Sequence, residues 1–127
     1  MAYSLYAHEV INHMRQPIAI VRGTTKPMSV KVSSNDGAPY TLGNNEVLRF
    51  GVKKSPNDTT YVFSKDMTSS DLRDGAYQFT INPADTEDLS FGCYYYDVGL
   101  QSGDAYFNVI ECSEFRVDKN VTKRTGG

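Results

Sequence analysis

The sequence predicts an all-β fold, an antiparallel β-sandwich of about seven strands. Three observations predict it. Apolar residues recur at every second position through most of the chain, and polar turn residues interrupt these runs at roughly ten-residue spacing. The 127 residues, 39 % hydrophobic and 22 % charged, suit one domain around a single core rather than a disordered chain. Period two sends successive side chains to opposite faces, so each strand can bury one face and wet the other.

The elements follow in order. Met28, Val30 and Val32 alternate with Ser29, Lys31 and Ser33, then Leu48, Phe50 and Val52 with Arg49, Gly51 and Lys53, then Tyr77, Phe79 and Ile81 with Gln78 and Thr80. The longest run is Tyr94, Tyr96, Val98 and Leu100 against Tyr95, Asp97, Gly99 and Gln101, which is expected to be a central strand. Ser102-Gly103-Asp104 then reads as a three-residue hairpin loop leading into an antiparallel partner over 105–111. Phe115 and Val117 continue the alternation beyond it, provided that Glu111 faces outward or the strand bulges near Cys112. Asn35-Asp36-Gly37-Ala38-Pro39, Ser55-Pro56-Asn57-Asp58 and Arg73-Asp74-Gly75 supply turn chemistry, and Ala84 to Leu89 after Pro83 predicts one helical turn.

One segment departs from period two. Ala7, Val10, Ile11 and Met14 fall at i, i+3, i+4 and i+7, with Ser4 as N-cap and Pro17 as stop, which reads as a short amphipathic helix over 5–15. So short a helix needs packing, either on the sandwich or as an arm against a neighbouring subunit. The expected organisation is an arm or helix over 1–17, a sandwich over 18–118 and a tail over 119–127.

Composition excludes several function classes. The net charge of −2 offers no general field for phosphate backbones or anionic lipid, so neither nucleic acid nor membrane is expected as a partner. The apolar run Ile18-Ala19-Ile20-Val21 falls far short of the ~20 residues of a spanning helix. Residues 1–16 carry His8, Glu9, Asn12, His13 and Arg15 where a secretory signal needs an apolar core, which implies synthesis in the cytosol and leaves the sequons at Asn57 and Asn120 without meaning. Cys93 and Cys112 lack metal or redox spacing and read as unbridged, partly buried thiols.

Catalytic chemistry finds little support. His8 and His13 stand five apart, which on a helix rotates the second ring by ~140° from the first, so they cannot share a metal as residues four apart would. Neither cysteine lies at a helix N-terminus or beside an evident base, and no nucleophile elbow or phosphate loop is present. Asp71, Asp74, Asp85, Glu87 and Asp88 read as solvated loop charges rather than a calcium loop. No catalytic residue, metal ligand or cofactor is expected. The nine tyrosines say more: Tyr95 should face outward between core neighbours, where an aromatic ring marks an interface or a sugar-stacking platform.

Several stretches taken in order are similar to the immunoglobulin-like N-terminal module of phage baseplate upper proteins. They are Arg22-Gly23-Thr24-Thr25, the run Asp36-Gly37-Ala38-Pro39-Tyr40-Thr41-Leu42, Val47 to Ser55, Ile81-Asn82-Pro83-Ala84-Asp85-Thr86 with Leu89, Gly92 and Tyr94 to Leu100, and Phe115-Arg116-Val117 with Val121-Thr122. The resemblance covers about residues 18–122. It implies a non-enzymatic virion structural protein, assembled in the host cytoplasm in multiple copies with other virion proteins of the tail, baseplate or neck. Family members continue into helical and receptor-side regions, so a free-standing module implies a small accessory component. The docking residues are expected to be Leu5, Val10, Ile11 and Met14 in the N-terminal segment, together with Tyr95 and the C-terminal tail. The alternatives are a capsid decoration or head-fibre component, or a carbohydrate- or receptor-binding sandwich using Tyr61, Tyr95 or Tyr106.

Overall fold

The alternating runs become strands. A computed structural model describes residues 16–33 and 38–119. The strands are β1 (Ile18–Val21), β2 (Lys26–Val30), β3 (Glu46–Lys53), β4 (Phe63–Met67), β5 (Leu72–Arg73), β6 (Ala76–Ile81), β7 (Gly92–Ser102) and β8 (Ala105–Asp118), with one helical turn, α1 (Pro83–Thr86). A five-stranded sheet in the order β1-β8-β7-β3-β4 faces a three-stranded sheet in the order β2-β6-β5. The fold is all-β and sandwich-like, as expected, with eight strands when the two-residue β5 is counted.

The predicted faces are the buried faces. Val30, Leu48, Phe50, Val52, Tyr77, Ile81, Tyr94, Tyr96, Val98, Leu100, Phe115 and Val117 all belong to one core. Phe50 joins the layers, its ring centroid 4.7 Å from that of Phe79 in the smaller sheet. Phe63 on β4 and Phe115 on β8 lie three strands apart yet their rings are 5.8 Å apart, so the larger sheet curls around its aromatic interior.

Several turns follow from local chemistry. Asp74 and Gly75 both have positive φ, 51° and 82°, the pattern of a type I′ hairpin turn between β5 and β6. α1 starts one residue earlier than the predicted turn and closes at Thr86; Pro83 opens it, and the Asp85 carboxylate accepts the Asn82 N–H at 2.7 Å. Residues 34–37, which hold most of the first predicted turn, lie outside the described residues, but the chain on either side is held together by the Ser33–Pro39 bridge and a Tyr40 N–H to Val32 carbonyl bond of 2.9 Å.

Three expectations are corrected. The β7–β8 loop has two residues, not three: Ser102 pairs with Ala105, and Gly103 alone takes a positive φ, 60°, so a tight turn with glycine at its first central position matches the strand twist. The larger sheet is mixed, because β1 runs parallel to β8 in the register Ile18–Phe115 to Val21–Asp118, which the long intervening chain permits. Cys93 is exposed rather than partly buried, since it shares the outward parity of Tyr95 near the end of β7; Cys112 is half-buried, and no disulfide joins them.

The two ways of preserving parity in the last strand both occur. Tyr96 faces Ser113, Val98 faces Ile110 and Gly99 faces Asn108, so β8 carries two extra residues across this stretch. An even insertion returns the alternation to its original face, which is why Val109, Ser113, Phe115 and Val117 are all buried while Glu111 is exposed. Ser113 stitches the bulge: its hydroxyl donates to the Glu111 carbonyl at 2.9 Å and accepts the Gln16 N–H at 3.0 Å. The Tyr96 hydroxyl donates to the Gln16 carbonyl, so Gln16, two residues before β1, is held at both backbone groups.

Candidate functional site

The outward face of the five-stranded sheet carries the unusual chemistry. The central strand β7 and its neighbour β3 place glycines at outward positions, Gly99 and Gly51, where alternation alone would put a side chain. Both are buried, because tyrosine rings from outside the pair lie over them. A Cβ on Gly51 would collide with the ring of Tyr61, and one on Gly99 would collide with the hydroxyl and ring of Tyr106. Arg49 pairs with Gly99 and Gly51 with Asp97, so the two glycines are diagonal neighbours, about 7–8 Å apart by sheet geometry. The two rings therefore tile adjacent patches of one face, and they keep 37 % (Tyr61) and 53 % (Tyr106) of their surface exposed.

Charged groups frame the rings. Arg49 grips Asp66 through two bonds, Nε to Oδ1 at 2.7 Å and Nη2 to Oδ2 at 3.2 Å. The Lys53 ammonium stands 5.3 Å from the centroid of the Tyr61 ring. Burial, then the neighbouring Asp97 and Tyr61, push the Tyr106 phenol above its ordinary pKa, with Arg49 opposing them.

Asp97 lies at the centre. It has no paired residue on β8, because the bulge falls opposite it. The carboxylate is half-buried and, among the described residues, accepts no hydrogen bond; burial raises its pKa and Lys53 offsets part of the rise. Asp97 lines a recess of about 70 Å³ with Gly51, Lys53, Pro56, Tyr95 and Cys112. A second groove, about 540 Å³, continues from Tyr95 and Cys112 past Glu114 toward Pro17.

Tyr95 faces outward between buried Tyr94 and Tyr96, as the alternation implies, and is half-buried beside this recess. The Cys93 thiol, then slight desolvation and Glu114, raise its phenol above the usual range. Leu5, Val10, Ile11 and Met14, like His8 and His13, lie outside the described residues. Of the loop carboxylates, Asp71 accepts the Thr68 N–H at 2.9 Å, and Asp85, besides capping α1, meets the Lys65 ammonium at 2.7 Å. Among the described residues no group of three or more His, Cys, Asp or Glu is placed to hold a metal ion. No helix there is long and apolar enough to cross a membrane.

Sequence reasoning singled out Tyr61, Tyr95 and Tyr106 one by one; the structure puts all three on one sheet face. It missed Asp97, which looked like one more polar residue of an alternating strand. The available signal was the pair of glycines at outward parity in the two strongest strand patterns. No protein-family model, curated protein or solved structure matches the chain.

Proposed function

We propose that this chain is a non-enzymatic structural module of a phage particle, a β-sandwich that joins a tail, baseplate or neck in multiple copies and docks through its N-terminal segment. The resemblance to the immunoglobulin-like module of baseplate upper proteins supports the reading; its most specific stretch runs from the last residue of β6 through α1 into β7.

The observation that carries the docking role is the fixing of Gln16. Ser113 and Tyr96 hold its amide and carbonyl, so the first described residue is fixed at a set point on the sandwich. That point lies at the mouth of a cavity of about 160 Å³ between the sheets, whose lining includes Ile18, Met28, Val30 and Ile110. Gln16 thus stands beside an apolar opening that suits a docking segment carrying Leu5, Val10, Ile11 and Met14.

The test uses a tagged full-length chain and a variant lacking residues 1–15, each supplied in cells producing the phage. Full-length protein should sediment with purified particles, and the truncated chain should fold yet stay in the soluble fraction. Absence of the full-length chain from particles would discard the virion role, and equal incorporation of both would discard the arm.

A further inference from the structure

We propose that the outward face around Asp97 binds a neutral saccharide, one pyranose resting on the Tyr106 and Tyr61 rings while a hydroxyl group donates to the Asp97 carboxylate. The inference does not depend on the assembly role, since it concerns a different face of the sandwich.

Asp97 is short of hydrogen-bond donors within the fold. A half-buried carboxylate normally recovers its lost hydration through hydrogen bonds, and this one accepts none among the described residues. A ligand that covers this face takes the place of water at the carboxylate and so must bring donors. The recess above it, about 70 Å³, has room for a hydroxyl or hydroxymethyl group but not for a bulky side chain of a flat protein surface.

The Tyr61 and Tyr106 rings lie flat enough over the sheet to cover two glycines. Exposed tyrosines on strands are common, but here two outward glycines on neighbouring strands clear the floor, so that both rings cover the sheet instead of standing away from it. Such rings offer an apolar surface to the C–H face of a sugar at little entropic cost, because a tyrosine has only two side-chain torsions.

Charge decides between ligand classes. Arg49 and Asp66 neutralise each other, and Lys53 offsets Asp97. A cationic amine attracted to the tyrosines and Asp97 would also meet Lys53, whereas an anion drawn to Lys53 would meet Asp97. A polyhydroxylated neutral ligand avoids both conflicts, since its hydroxyls can donate to Asp97 and accept from Lys53.

The test applies purified full-length chain to an array of neutral hexose and N-acetylhexosamine oligosaccharides, with sialylated and sulfated glycans on the same array and choline titrated separately. Binding to at least one neutral oligosaccharide is expected. Tyr106→Ala and Asp97→Asn should each weaken it tenfold or more without lowering the melting temperature, while Phe91→Ala, at an exposed ring outside the recess, should leave it unchanged. If Tyr106→Ala proves unstable, Tyr106→Phe, which keeps the ring, should retain binding while Asp97→Asn still loses it. Binding confined to charged glycans or to choline, no binding at all, or binding indifferent to the Tyr106 and Asp97 changes would overturn the proposal.

Discussion

The hydroxyl of Tyr106 fills the space that a side chain on Gly99 would occupy. The clash that Gly99→Ala creates falls on the far end of a flexible side chain, so the ring rather than the backbone should move. Alanine gains roughly 0.5–1 kcal/mol over glycine in a strand, which offsets much of the ring's lost packing. Stability should therefore stay within about 1 kcal/mol of the parent in urea. The Tyr106 phenol, held above its ordinary pKa chiefly by burial, should fall back toward it. An NMR titration of labelled tyrosines that shows no change at Tyr106 would contradict this account.

Tyr77 is fully buried, and its hydroxyl donates to the Tyr40 carbonyl at 2.6 Å while accepting the Leu42 N–H at 2.9 Å. It thereby anchors the chain between β2 and β3 to the smaller sheet. Tyr77→Phe keeps the ring and strands a buried amide and a carbonyl, at a cost of about 2 kcal/mol in urea unfolding. A loss below about 0.5 kcal/mol would mean that water or another donor replaces the hydroxyl.

The parts of the fold legible in the sequence are those set by parity. Tyr94, Tyr96, Val98 and Leu100 could be assigned to a central strand because one rule, alternation, governs both their pattern and their burial. The parallel pairing of β1 was hidden because Ile18 to Val21 is a continuous apolar run that carries no directional signal. The hairpin length was misjudged because Ser102 fits both a loop and a strand end. Asp97 was hidden for a different reason: its environment is set by a bulge on another strand and by tyrosines distant in sequence, and no local pattern encodes that meeting.

Ser113 sits at a core position with 2 % of its surface exposed, where alternation would favour an apolar residue. Its hydroxyl serves both the bulge carbonyl of Glu111 and the amide of Gln16. Ser113→Ala should cost about 1–2 kcal/mol, the value of a partly buried hydrogen-bond pair. It should also loosen the anchor before β1, so the Gln16 amide should exchange with solvent faster than in the parent while amides of β3 keep their protection. Unchanged exchange at Gln16 would show that Tyr96 alone holds the anchor.

Asp97→Asn should stabilise the protein at neutral pH. Burial raises the Asp97 pKa above its ordinary 3.8, so on acid-to-neutral titration the unfolded chain releases this proton before the folded one does. Stability contributed by the neutral form is thus present at low pH, is lost as pH rises through the folded pKa, and leaves a standing penalty above it. Asparagine removes that penalty, on the order of 1 kcal/mol after allowance for the group's partial exposure and for Lys53. The gain should be full at pH 7, shrink as the pH falls through the folded pKa, and vanish only well below the ordinary value of 3.8, where the parent carboxyl is protonated in both states. Urea unfolding of parent and variant from pH 3 to pH 8 measures the difference directly. A variant less stable at pH 7, or a difference independent of pH, would mean that Asp97 already has a stabilising partner in the folded chain. A stabilising change that at the same time removes saccharide binding would place the carboxylate among groups kept at the expense of the fold, which is the energetic signature of a binding residue.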